Sequence, residues 1–283
     1  MFDNAIHSPR ANRSLLTGCL LWCALVLGLL PVLARSARAA ETSSVSASIS
    51  YSDGSKSKTP LWKNIRITLK RGDETILQGE LLPEEARYSI YAAPKLLAVD
   101  LDDDGQAEVI VDVYTAGQDC CRRSVIYRAV GSTYEPVVTQ WAGTGYRLDD
   151  VLGKSSPEFL ATDVRFPELF GDADARGPLR VFSFRGGALK DLSSRAKGEL
   201  RRDARIQWRT WRSIRRKGSG DARPAVAAYV ADLVRLGEVP EARAVISNAS
   251  RNDELRVSRS AFTRTLDRKL VAWGYTKKRL LRR

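Results

Sequence analysis

Asp100, Asp102, Asp104 and Glu108 occupy the first, third, fifth and ninth positions of the segment Asp100-Leu-Asp-Asp-Asp-Gly-Gln-Ala-Glu108. Carboxylates at alternate positions of a tight loop turn inward together. Gly105 at the sixth position accepts a backbone conformation that branched residues resist. Gln106 offers its backbone carbonyl at the seventh position, and Glu108 reaches the ninth directly or through water. Asp103 is expected to face solvent. Such a cage of hard oxygens suits calcium. An EF-hand would need a glutamate at position twelve, where Val111 stands, and helices on both sides; here the chain runs on into a strand-like alternation. The EF-hand is therefore excluded. The competing reading is a solvated acidic turn with no ion, against which the four carboxylates would repel one another without a cation. Extracellular calcium modules bind with dissociation constants of about 10⁻⁴ to 10⁻³ M. Calcium at ten times such a value would add about 1.4 kcal/mol, enough to firm up a domain but not to fold one.

Two other residue groups carry chemistry. Cys120 and Cys121 are adjacent. Adjacent Cα atoms lie about 3.8 Å apart, below the usual disulfide range, so a vicinal bridge would be strained and easily reduced. A structural ring stiffening a turn is the favoured reading; pairing with another chain, buried thiols and a redox switch are the others. Arg205, Trp208, Arg209, Trp211 and Arg212 interleave cations with aromatic rings within Leu200–Lys217, and Lys277, Lys278 and Arg279 extend the basic character towards the C-terminus. That interleaving suits an anionic polymer. Against it stands the plainer expectation that the tryptophans are core and the arginines solubilise a helix or dock on acidic residues elsewhere in the chain.

These groups sit in two halves of opposite charge. Ala40–Ser194 has 18 basic and 23 acidic residues, and Arg195–Arg283 has 24 basic and 9 acidic, within a whole-chain charge of +13. So sharp an asymmetry suggests two modules with different partners. The acidic half reads as β. Trp62-Lys-Asn-Ile-Arg-Ile-Thr-Leu-Lys70 alternates with period two, turns at Gly72-Asp73 and returns through Thr75–Leu82. Glu108–Tyr114 alternates again, and hairpins follow around Gly131-Ser132 and Gly186-Gly187. The basic half reads as helix. Leu200, Ala204, Trp208 and Trp211 share a face, Pro224 and Pro240 open further helices, Gly237 closes one, and Phe262, Leu266, Leu270 and Trp273 line a last helix stopped by Gly274. The expected fold class is α+β: an N-terminal antiparallel β domain of two blade-like repeats at residues 59–194, then a basic α-helical domain at 195–283. Residues 40–58, rich in serine and threonine, are expected to be a flexible or weakly paired lead-in.

The β half also repeats itself at an offset of 50 residues. Leu97-Ala-Val-Asp100 aligns with Arg147-Leu-Asp-Asp150, and Glu108-Val-Ile-Val with Glu158-Phe-Leu-Ala. The hairpins at Gly131 and Gly186 align after a five-residue insertion in the second copy. Val99-Asp-Leu-Asp-Asp-Asp-Gly-Gln-Ala-Glu-Val-Ile-Val111 resembles the FG-GAP/VCBS repeat, the blade unit of integrin-like propellers and of many exported bacterial proteins. Asp112-Val-Tyr-Thr-Ala-Gly-Gln-Asp-Cys-Cys121 is similar to a version of that repeat in uncharacterised exported proteins. Those often carry a histidine before the cysteines, where Asp119 stands. The resemblance covers residues 95–138 clearly and 145–192 more weakly. It implies a calcium-binding acidic loop on a β-unit. Two repeats cannot close a propeller of four or more blades, so a pair of packed blades or a small sandwich is expected. In the second copy Leu152, Lys154 and Ser155 replace Asp102, Asp104 and Gly105, leaving Asp150 and Glu158 as structural remnants.

Compartment follows from the N-terminus. Arg10 and Arg13 precede an uncharged apolar run, Ser14–Ala34, and Ala37-Arg-Ala39 offers the small-x-small pair of a signal-peptidase site. A leader over residues 1–39 and a periplasmic or extracellular location are expected; an N-terminal membrane anchor is the alternative. No transmembrane span is expected after cleavage. Cleavage would remove His7, the only histidine, and with it histidine-based nucleophilic catalysis, proton shuttling and zinc ligation. The expected function is a non-catalytic binding or scaffold protein, braced by calcium and engaging an envelope or extracellular protein or an anionic polymer; nucleic acid is not an expected partner. A carboxylate-dependent hydrolase acting on a polysaccharide, and a structural subunit docking through its basic helices, are the alternatives.

Overall fold

The computed structural model describes residues 45–52, 63–81, 94–114, 122–141, 145–172 and 175–281. The leader and the Cys120–Cys121 pair lie outside these residues. Three antiparallel sheets follow one another along the chain. The first joins β1 (Val45–Ser52), β2 (Lys63–Arg71) and β3 (Glu74–Glu80) in that order. In β2 the period-two pattern sends Ile65, Ile67 and Leu69 inward, each at most 1% exposed, with Asn64, Arg66 and Lys70 outward. Val45–Ser52, expected to be a flexible or weakly paired lead-in, is instead a strand paired with β2 from Val45↔Arg71 to Ser50↔Arg66 and, past an irregularity, at Ser52↔Lys63. Its Val45, Ala47 and Ile49 pack on the core while the alternate serines face out.

The second sheet is β4 (Lys95–Val99), β5 (Glu108–Tyr114), β6 (Arg122–Val130) and β7 (Thr133–Gln140), and the third is β8 (Tyr146–Asp149), β9 (Glu158–Thr162), β10 (Leu179–Arg185) and β11 (Ala188–Asp191). Both are four-stranded meanders paired in chain order. Each runs strand, loop opened by an aspartate, strand, strand, glycine turn, strand.

The alternation of β5 explains how the sheets stack. Val109, Val111 and Val113 point to one side and join Ile65, Ile67 and Leu69 of the first sheet. Ile110 points to the other and, with Leu101, Ile126 and Trp141, meets Phe159, Ala161 and Phe184 of the third sheet. The far face of that third sheet, Leu160, Leu179 and Val181, closes on Ala196 just before the helices. Buried apolar side chains of this size each contribute about 1.5–3 kcal/mol relative to exposure.

The helices are α1 (Arg165–Phe170), α2 (Lys197–Lys217), α3 (Arg223–Leu236), α4 (Val239–Arg251) and α5 (Arg259–Ala272). Prolines stand in the first turns of α3 and α4, where a missing N–H costs nothing. Gly218 and Gly237 close α2 and α3 in the left-handed conformation, and Ser258 caps α5 by accepting from the Ala261 N–H at 3.3 Å. The short α1 lies in the stretch that holds the five-residue insertion. It sends Phe166 into the helical core, beside Trp211, Val226, Val230, Leu266 and Tyr275. Among the described residues no helix is long and apolar enough to cross a membrane.

Buried polar contacts join the third sheet to the helices. Asp203 of α2 accepts from the Leu179 N–H at 2.9 Å, and Gln207 donates to the Gly177 carbonyl at 3.0 Å. Arg235 of α3 pairs with Asp191 at 3.0 Å and lies over the Tyr275 ring at 3.7 Å; the Tyr275 hydroxyl donates to Asp163 at 3.0 Å.

Candidate functional site: an acidic loop and a basic helix face

The loop between β4 and β5 is organised by its first residue. Asp100 Oδ1 accepts from the N–H of Asp103 at 2.7 Å and from those of Asp102 and Asp104 at 3.3 Å, while Oδ2 accepts from Gly105 at 2.9 Å. The turn needs left-handed backbone at Asp103 (φ 64°) and Gly105 (φ 84°). Glu108, only 1% exposed, accepts from the Leu101 N–H at 2.7 Å and so ties the end of the loop to its start.

Carboxylate oxygens of Asp100, Asp102 and Glu108 all lie within 4.8 Å of one another. Asp104 is outside that trio. Its Oδ1 accepts from the Gln106 N–H at 2.8 Å, and Gln106 is exposed. Within the trio Asp102 Oδ1 is buried with no hydrogen-bond partner. Burial, then Asp104 and Asp100, hold the Asp102 carboxyl above its ordinary value. Burial pushes Glu108 up to about 7, with the neighbouring aspartates adding to the Leu101-opposed shift. An orphaned buried oxygen among three converging carboxylates fits a hard divalent cation, held by Asp100, Asp102 and Glu108.

The second repeat supplies an internal control. Asp150 accepts from the N–H groups of Lys154 at 2.9 Å and Ser155 at 3.3 Å, and Glu158 accepts from Val151 at 3.1 Å. Gly153 (φ 64°) and Ser155 (φ 68°) repeat the left-handed backbone of Asp103 and Gly105. The first aspartate and the final glutamate are thus turn scaffolding in both copies. The loops differ at the cage positions three, five and six, and of these only position three, Asp102 in the first loop and Leu152 in the second, belongs to the carboxylate trio. Gly186 of the β10–β11 turn and Arg185 of β10 lie near enough to Asp102 to favour its charged form.

The basic cluster lies on α2 and is divided by burial. Leu200, Asp203, Ala204, Gln207 and Trp211 are inside. Trp211 is 5% exposed, donates to Glu254 at 2.9 Å and is covered by Arg215, which pairs with the same glutamate. It belongs to the core. Trp208 is 38% exposed, with the Arg212 guanidinium 4.7 Å above its ring. Arg205, Arg209 and Arg212 are exposed beside it, as are Arg201 and Arg216. Among the described residues none of these five arginines enters an ion pair, whereas Arg202 is held by Glu199. Nor does the acidic half absorb the helical charge. Arg235–Asp191 joins a helical cation to a β-half acid, but Arg147–Glu199 and Arg176–Asp203 run the opposite way.

A third polar cluster was missed from the sequence. Asp112 of β5 sits opposite Ser124 of β6 and Lys95 of β4. Its carboxylate accepts from the Ser124 hydroxyl and from Tyr146 of the next sheet at 3.0 Å, while Trp141 donates to Ser124 at 2.7 Å. The group borders a cleft of about 240 Å³. The available signal was a carboxylate in the strand Val109-Ile-Val-Asp-Val-Tyr114, at a position of the pleat that faces a neighbouring sheet. A carboxyl pair away from the acidic loop, Asp203 with Asp232, is buried at 2% and 0% exposure and has no opening.

No family model, no curated protein and no solved structure matches the chain.

Proposed function

We propose that this chain is an exported, non-catalytic binding module. Two FG-GAP/VCBS-type β-units, the first braced by calcium at Asp100, Asp102 and Glu108, carry a helical domain that engages an anionic envelope or extracellular partner. The observation that carries this reading is the outer face of α2, where Arg201, Arg205, Arg209, Arg212 and Arg216 surround exposed Trp208 without ion pairs among the described residues. A rigid helix seated by Leu200, Ala204 and Trp211 presents these groups in fixed positions. Unpaired arginines cost little solvation when they meet carboxylate, sulfate or phosphate groups, and the planar guanidinium can bind them through two hydrogen bonds. A hydrolase would need two carboxylates facing each other across an opening; the Asp203–Asp232 pair is sealed inside the fold.

The test is retention on an immobilised polyanion. Arg205→Glu with Arg209→Glu should elute at clearly lower salt than the parent. Arg264→Glu with Arg268→Glu, exposed on α5, makes the same change in net charge and should elute close to the parent. Equal loss in both variants would reduce the effect to overall charge and reject the α2 face.

A further inference from the structure

We infer that the groove between α2 and the α3–α4 hairpin, with Trp208 at its centre, binds an acidic polysaccharide chain. The inference rests on the reading of α2 as the face for an anionic partner and names the class of that partner.

Two hollows border Trp208. One, of about 340 Å³, has Arg201, Arg205 and Glu238 along it; the other, of about 330 Å³, has Arg212, Glu241 and Asn248. Both share Trp208 and Tyr229, so they form one track along the helix. From Arg201 to Arg215 that track is about 21 Å long at 1.5 Å per residue. Its length and its open sides suit an extended polymer in preference to a compact small molecule.

The lining selects among polymers. Trp208 and Tyr229 give the track aromatic surface for the C–H side of a sugar, and Arg212, over one face of Trp208, steadies that ring. Arg201, Arg205 and Arg212 are cations for carboxylate or sulfate substituents. Glu238 and Glu241 lie in the same track and can accept hydrogen bonds from hydroxyl groups, while Asn248 already accepts from Arg215. A DNA strand has no free hydroxyl groups along its chain to offer the two glutamates, which would repel its phosphates. An acidic peptide brings few hydroxyls to satisfy them. A bilayer surface cannot descend between helices to Tyr229, which is half-buried. Anionic groups on a hydroxyl-rich backbone match all three kinds of lining residue.

The experiment is fluorescence titration of the full chain with polygalacturonate, dextran, oligothymidylate and phosphatidylglycerol vesicles, with intact folding checked by circular dichroism. Polygalacturonate should quench tryptophan emission and bind saturably, while dextran should not. Trp208→Ala, and separately Arg205→Gln with Arg212→Gln, should each weaken it by about tenfold, a difference of about 1.4 kcal/mol. Glu238→Gln with Glu241→Gln should weaken polygalacturonate and strengthen oligothymidylate. Binding of oligothymidylate or vesicles without polygalacturonate would overturn the polysaccharide assignment and leave the anionic face standing. Binding of no polyanion would overturn both. Equal affinity for dextran, or unchanged polygalacturonate affinity in Trp208→Ala, would reject the groove.

Discussion

At the residue scale, single carboxyl groups set the behaviour of both halves. In the acidic loop Asp100 and Glu108 spend their oxygens on backbone N–H groups, as Asp150 and Glu158 do in the second copy. Asp102 is the residue with an oxygen left over. Among the helices, Asp232 is fully buried beside Asp203, and burial followed by that neighbour raises its carboxyl well above the ordinary range. The sign follows by linkage. A carboxyl raised in the fold binds a proton that the unfolded chain releases, so its contribution is fully present below about pH 4 and is lost as pH rises through the folded-state value. Asp232→Asn keeps the shape and removes the titration. Its melting temperature should therefore gain on the parent's as pH rises from 4 to 8, read by thermal unfolding across that range. A constant difference would show that Asp232 does not titrate in this way.

At the scale of elements, much of the architecture was legible because periodicity and punctuation agree. Pro224, Gly237 and Pro240 bracket α3 and open α4 where the sequence places them, and the 50-residue repeat emerges as two meanders with the same path. Two elements were not legible, each for a physical reason. β1 alternates Val45, Ala47 and Ile49 with serines, a composition shared with flexible tails, and its strand character comes from the ladder to β2. α1 has six residues, too few for a periodic signal, and is held by Phe166 in the helical core. The α2 cluster was legible in composition and not in orientation. Trp208 and Trp211 differ by three positions, yet only the three-dimensional partners Glu254 and Arg215 draw Trp211 inward. The repeat also yields a constructive prediction. Since both loops share a backbone, Leu152→Asp, Lys154→Asp and Ser155→Gly together should install a second cation site. Calorimetric stoichiometry should rise from one calcium to two; an unchanged stoichiometry would mean that loop shape and carboxylates are not sufficient.

For the whole molecule, the oppositely charged halves are joined by buried polar contacts and packing and, among the described residues, by the ion pairs Arg147–Glu199, Arg176–Asp203 and Arg235–Asp191. Gly177 lies at this junction. Its carbonyl accepts from Gln207, and a Cβ there would fall 1.9 Å from the Asp163 carbonyl oxygen. Gly177→Ala should therefore destabilise the chain by about 1–3 kcal/mol or more, because close-packed backbone cannot yield without shifting the Asp163–Tyr275 and Asp203–Leu179 links. A denaturant midpoint equal to the parent's would show that the junction is more plastic than this. Part of the surplus helical charge is exposed on α2, the face proposed to meet a partner with the sheets as its support. In that proposal the first acidic loop is the brace of the assembly. It is tested most directly by calorimetric and thermal-melting titration with calcium of the parent chain beside Asp102→Leu, which copies the side chain of the second loop. The parent should give a saturable heat and a calcium-dependent rise in melting temperature, equivalent to about 1.4 kcal/mol at ten times the dissociation constant, and Asp102→Leu should give neither. Equal heats and equal melting shifts in the two proteins would contradict the account.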